Sequence, residues 1–236
     1  ILAFFSAHPA QTPRGVLAHA KALTAKGQSG AAQASVVLAW RTMPMNANSQ
    51  AEFLAAYGDL LKPHHDARID AMVWQREYAE AAQMYGVASK EAEQAARSRI
   101  AFYRRSDDAV SLYEALPDAL KSSGGVNHAR FEWRARVGRQ DDAMDLMLDA
   151  SKNAETLGSP AAWGNRRRAM ARYEMRNGTP ERAYVMASQH FLTDGSDYAD
   201  LEWLSGYIAL TFLNDPMRAH AHFLNHDSAV ESPISQ

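Results

Sequence analysis

Four stretches of the chain repeat one pattern: a turn, a charged residue and alanine near a helix start, then recurring apolar positions. Asp108-Ala109, Asp142-Ala143, Arg182-Ala183 and Arg218-Ala219 carry it, and the alanines are separated by 34, 40 and 36 residues. That period fits one pair of helices per repeat, a unit that buries its apolar face only by stacking on its neighbours. The small alanine belongs where the second helix of a pair presses against the first. Because the spacing drifts, the pattern predicts an irregular all-α array. The expected form is a right-handed superhelix (α-solenoid) of helix-turn-helix pairs, with residues 1–236 as a single domain.

Composition supports the helical reading. Alanine occupies 44 positions, whereas valine and isoleucine together occupy 15. Alanine loses no side-chain entropy in a helix, and β-branched residues favour strands. The repeat length is that of tetratricopeptide-type arrays. There is no cysteine, which excludes disulfides and thiolate metal sites. The longest uncharged apolar stretch, Trp203 to Leu213, is 11 residues, well short of the roughly 18 that a membrane span needs. No transmembrane segment and no signal peptide is expected, and a start at Ile1 suggests a mature or trimmed product.

A net charge of −2 argues against a nucleic-acid partner. The charge is uneven: residues 121–190 carry twelve basic and eight acidic side chains, and residues 191–236 one basic and seven acidic. Charge pairing between stacked helices accounts for such an arrangement.

Helix starts are well punctuated. Thr12-Pro13, Ser159-Pro160, Thr179-Pro180 and Asp215-Pro216 each place a capping residue before a proline at the first helical position. Ser49 and Glu52 have capping-box spacing. Gly27, Gly86, Gly124-Gly125, Gly138, Gly158 and Gly178 mark breaks. In the first hundred residues the pattern predicts helices near 14–26, 30–42, 49–61, 66–85 and 89–104. A further helix near 198–213 carries only Ser205, Tyr207 and Thr211 as polar side chains after Glu202. Such a helix is expected to be covered on several sides, so a charge at Ile208 or Leu210 should cost several kcal/mol (about 2–3 from lost burial alone).

Candidate functional residues are few. His222 and His226 share a helix face and His220 points elsewhere, without the Glu of a His-Glu-x-x-His metal motif, so ordinary helix histidines near Asp227 are the reading. His64-His65 sits beside Pro63 in a predicted loop. No metal and no cofactor is expected. Arg166, Arg167 and Arg168 separate by helical angle. Arg166 or Arg167 is expected to be partly buried and paired with an acid, Glu174 or one on a neighbouring helix. Arg168, Arg172 and Arg176 form a stripe four residues apart. It reads as a solvated face or as a surface attracting carboxylates. Trp133, Trp163 and Trp203 lie on apolar faces, where core packing is the expectation over sugar stacking.

Several of these residues occur in a recognisable order. Ala129-Arg130-Phe131-Glu132-Trp133-Arg134-Ala135-Arg136 is followed by Trp163 with Arg166-Arg167, then Arg182-Ala183-Tyr184. The longest run is Tyr198-Ala199-Asp200-Leu201-Glu202-Trp203-Leu204-Ser205-Gly206-Tyr207-Ile208-Ala209-Leu210. It continues through Phe212-Leu213 and Asp215-Pro216 to His222-Phe223 and closes on Ser232-Pro233-Ile234-Ser235. This order resembles the superhelical domain of the soluble lytic murein transglycosylases, best over 126–236. The departures are Gly164, where that family often has a second Trp, and Thr211, where it often has Arg.

The resemblance implies a periplasmic, non-catalytic scaffold. Its partners would be the peptidoglycan glycan strand and the protein's own lysozyme-like catalytic domain, expected beyond 236. In that family one Glu protonates the glycosidic oxygen between N-acetylmuramic acid and N-acetylglucosamine, and the C6 hydroxyl attacks to give a 1,6-anhydro product. Such an acid needs an enclosed site that raises its pKa. Glu231-Ser232 echoes the family's catalytic pair, but Pro233 follows at once and too few residues remain to enclose it. No catalytic residue is assigned, and this segment alone is expected to be inactive. The stripe of Arg168, Arg172 and Arg176 would face substrate. A tetratricopeptide-like scaffold that grips a protein partner, and a truncated relative that binds sugar without cutting it, are the competing readings.

Overall fold

The computed structural model describes residues 1–230. Among these the chain is helical throughout: sixteen α-helices, one short 3-10 turn and no strand. Two compact units divide it, Ile1–Leu116 and the part from Pro117 onward.

The first unit holds α1 (Leu2–Ala7), α2 (Pro13–Ala25), α3 (Ser29–Thr42), α4 (Ala47–Leu61), the 3-10 turn Lys62–His64, α5 (His65–Trp74), α6 (Tyr78–Ala82), α7 (Lys90–Arg104) and α8 (Ala109–Glu114). Thr12 caps α2, its Oγ1 accepting the Gly15 N–H at 3.1 Å. At α4 the cap is Asn46, whose Oδ1 accepts the Ser49 N–H at 2.9 Å. Ser49 is therefore the third residue of the helix and not its cap, which corrects the capping-box reading.

The single helix expected over 66–85 is two helices. Arg76 adopts φ 68°, its N–H reaches Val73 O, and Glu77 N–H reaches Met72 O at 2.9 Å. This is a Schellman closure with arginine where glycine is usual. The Arg76 guanidinium lies 3.3 Å from the Tyr103 ring centroid, a cation–π contact that helps to offset the cost of the left-handed backbone. With no glycine to mark it, the break is silent in the sequence.

The core of this unit forms around Trp40 and Phe53, both fully buried. Arg68, also fully buried, stacks 4.6 Å from the Trp40 ring and donates to Trp40 O and Met43 O at the end of α3. The helix's partial negative charge there serves as its counter-ion.

The second unit comprises α9 (Asp118–Lys121), α10 (Gly124–Arg136), α11 (Gln140–Ala150), α12 (Ala154–Leu157), α13 (Pro160–Asn177), α14 (Pro180–Ser188), α15 (Gly195–Thr211) and α16 (Pro216–Ala229). Three hairpins follow one another: α10 on α11, α13 on α14, α15 on α16, with α15 also packed on α13 and α14. The four alanines of the repeat pattern are all buried: Ala109, Ala143, Ala183 and Ala219.

Phe131, Leu157, Trp163, Leu201, Leu204 and Ile208 build the core together with Met144, Met147, Met170 and Met186. The Trp163 ring centroid lies 4.6 Å from that of Phe131, and its Nε1–H donates to Leu157 O at 3.0 Å.

Gly124 opens α10 directly against the turn before α13. A Cβ there would lie 2.4 Å from Gly158 Cα, a backbone atom that cannot rotate away. Gly124→Ala is expected to cost about 2 kcal/mol through forced separation of the two segments, read as a lowered urea midpoint with an unchanged slope.

Helix α15 departs from expectation on one side. Leu201, Leu204, Ile208 and Ala209 are fully buried or nearly so, but Trp203 is 43% exposed, Leu210 50% and Phe212 44%. The helix is covered on all faces but one, and Trp203 stacks on Tyr207, ring centroids 5.3 Å apart, outside the core. The core assignment thus holds for Trp163, is partial for Trp133 and fails for Trp203.

Candidate functional site

The polar groups concentrate where α13, α14, α15 and α16 meet. Arg168, on α13, pairs with both Asp197, at 3.1 Å, and Asp200 of α15. Gly164 makes room for this: a Cβ there would overlap Asp197 Oδ2 at 2.2 Å. A larger side chain at 164 would displace Asp197 from Arg168. The stripe is therefore divided. Arg168 is neutralised by two carboxylates. Arg172 is half-buried and Arg176 exposed, and neither has an acid within ion-pair distance among the described residues.

Arg166 pairs with Glu132 at 2.7 Å, as expected of one member of the run. Arg167 departs from expectation. It is fully buried and has no acidic partner among the described residues; Nη1 donates to Met186 O at 2.9 Å and Nη2 to Ser151 Oγ at 2.5 Å. Ser151 is the C-cap of α11, and Met186 lies in the last turn of α14, so two helix C-termini supply the negative potential. Burial lowers its pKa to about 10, so the guanidinium remains charged at neutral pH. Glu174, the acid anticipated for it, instead accepts the Thr179 N–H at 3.2 Å and lies 3.8 Å from Arg182.

Glu202 is the centre of a second knot. It is 5% exposed, yet its carboxylate has three donors: His190 Nε2 at 2.9 Å, His222 Nδ1 at 2.7 Å and Asn225 Nδ2 at 3.0 Å. Burial pushes its pKa up, but the bonds from His190, His222 and Asn225 outweigh that and hold it at about 2. The far nitrogen of His222, Nε2, meets the Tyr184 hydroxyl at 2.9 Å. A carboxylate so firmly ionised is an acceptor and cannot serve as a general acid near neutral pH.

Of the three α16 histidines, His222 belongs to this knot. His226 Nδ1 bonds Ala199 O at 2.9 Å, and His220 is exposed. Among the described residues no group of three His, Cys, Asp or Glu is disposed to hold a metal ion. His65 is buried beside Trp40, and burial lowers its pKa; it opens α5, where the sequence suggested a loop. Glu231-Ser232 and the Ser232–Ser235 segment lie outside the described residues.

Surface grooves lie elsewhere among the described residues. One of about 540 Å³ runs between α11 and α14, lined by Asp145, Leu148, Lys152, Glu181, Arg182 and Val185. Another, of about 600 Å³, lies in the first unit beside Tyr57, where α4 kinks. Among the described residues no helix is long and apolar enough to cross a membrane. No protein-family model matches the chain, and neither does any curated protein or solved structure.

The partnership of Glu202 with His190 and His222 spans 12 and 20 residues. Neither interval is a helical spacing, so no local pattern announces it. Only the oddity of a lone Glu within the apolar run from Leu201 to Leu210 marks the position.

Proposed function

We propose that this chain is the non-catalytic superhelical scaffold of a peptidoglycan lytic transglycosylase. Built of tetratricopeptide-like helix pairs, it would act in the periplasm and hold the glycan strand near a catalytic domain that lies beyond it. The observation that carries the reading is the ordered run from Tyr198 to Phe223. It occupies one hairpin, α15 on α16, and its residues have packing roles a scaffold requires: Leu201, Leu204 and Ile208 in the core, Gly206 beneath the Phe223 ring. Its buried acid, Glu202, is held ionised by three donors. The carboxylates of peptidoglycan stem peptides would meet Arg172 and Arg176, with Arg168 kept for the ion pair to α15.

The test uses purified sacculi. The chain should co-sediment with them and release no anhydro-muropeptides. Release of anhydro products by this chain alone, or failure to co-sediment, would overturn the proposal. The groove between α11 and α14 favours a second reading. Its mixed charges, Asp145, Lys152, Glu181 and Arg182, around Leu148 and Val185 suit an extended peptide of a protein partner. A chain that ignores sacculi but binds a peptide there would support that reading.

A further inference from the structure

Ala219, His222, Phe223 and His226 of α16, spaced by three and four, meet α15, with Asn225 beside them. Ala219 is fully buried, the Phe223 ring lies over Gly206, and the two histidines bond to Glu202 and to Ala199 O.

The hydrogen-bond partners fix where each proton sits. A carbonyl only accepts, so His226 carries its proton on Nδ1 and donates to Ala199 O. The Leu192 N–H donates to His190 Nδ1 at 2.9 Å, so that nitrogen is bare, the ring is neutral, and Nε2–H donates to Glu202 Oε1. His222 donates through Nδ1–H to Glu202 Oε2, while its Nε2 faces a Tyr184 hydroxyl that can either donate or accept.

The consequences of a second proton therefore differ between the rings. His222 can take one and keep both partners, its Nε2–H now donating to Tyr184 and its bond to Glu202 becoming an ion pair. His226 can take one on Nε2 and keep Ala199 O. His190 cannot, because a protonated Nδ1 would confront the Leu192 N–H donor.

We infer that α16 is fastened by an acid-strengthened latch, in which protonation of His222 and His226 tightens its seam with α15. The other titratable groups around the seam permit this. From α14 only Tyr184 reaches His222, and Arg218 of α16 lies 5.6 Å from the Tyr184 ring centroid. Arg218 pairs with Asp215 at 3.2 Å, which blunts its repulsion of an imidazolium. On α15, Tyr198 packs edge-on to the His190 ring. His220 and Asp227 of α16 are exposed. Glu202 supplies the fixed negative charge throughout, since its three donors keep it ionised well below neutral pH.

Hydrogen exchange of the α16 amides, corrected for intrinsic rates, tests the latch in the intact chain. On lowering the pH from about 8 to about 6, protection should rise roughly threefold or more. The rise should vanish in the double variant His222→Gln, His226→Gln, whose side chains can still donate but do not titrate. Protection that stays flat or falls in the unaltered chain overturns the inference, as does a rise that survives in the double variant. Imidazole ¹⁵N shifts of the unaltered chain give a second reading that needs no variant. His190 should hold its neutral Nε2–H form while His222 charges, and the reverse order sinks the latch.

Discussion

Ile208→Asp should destabilise the protein by about 4–5 kcal/mol, whereas Leu210→Asp, two positions along the same helix, should change stability by no more than about 0.5 kcal/mol. The sequence alone treats the two residues alike. The structure separates them, because Ile208 is fully buried and Leu210 is half exposed. Burial of an isoleucine is worth roughly 2–3 kcal/mol, and an unpaired carboxylate in its place adds a desolvation cost that no donor offsets. Ile208 belongs to an apolar core cluster with Leu204, Leu201, Met186 and Met170. Urea unfolding of the two variants settles the matter, and equal midpoint shifts would mean that the outer face of α15 is covered in solution.

The second large effect concerns Arg167. Arg167→Ala should cost about 4 kcal/mol, since it removes two charge-assisted hydrogen bonds, strands Met186 O and leaves a cavity the length of the arginine stem. Arg167→Lys should recover about half of that, because one ammonium cannot span two acceptors held apart by a planar fork. Arg166→Ala next to it should cost no more than about 1 kcal/mol, its pair with Glu132 being a third exposed on the arginine side. Chemical denaturation of the three variants checks the order. A lysine variant as unstable as the alanine variant would mean that fork geometry, and not charge at the helix ends, holds the two hairpins together.

Much of the helical framework is legible because its signals are local. The prolines after Thr12, Ser159, Thr179 and Asp215 all stand at helix starts, and the repeat alanines are all buried. Local signals fail where the deciding partner is remote. Arg76 ends α5 by leaning on Tyr103, from the far side of α6, and nothing near residue 76 hints at it. Asn46 takes the cap that Ser49 seemed to claim, because an Asn three residues upstream is an equally good acceptor. Arg168 looked solvated by helical angle, but the angle describes one helix and its carboxylates come from another. Glu202 shows this most strongly: an acid in an apolar run is visible, but the three donors that make its burial tolerable are brought to it by folding.

The methionine-rich interior carries a chemical consequence. Seven of the ten methionines are buried, four of them in the core of the second unit, and the chain has no cysteine. Peroxides and hypohalous acids therefore find no thiol to consume and few thioethers within reach, apart from Met217, which is 83% exposed. A sulfoxide formed at Met144 or Met186 would place a polar group among Phe131, Trp163 and Leu204, so the native packing and the unoxidised state sustain each other. For this chain, the access of oxidants to most of its thioethers is set by its folding equilibrium.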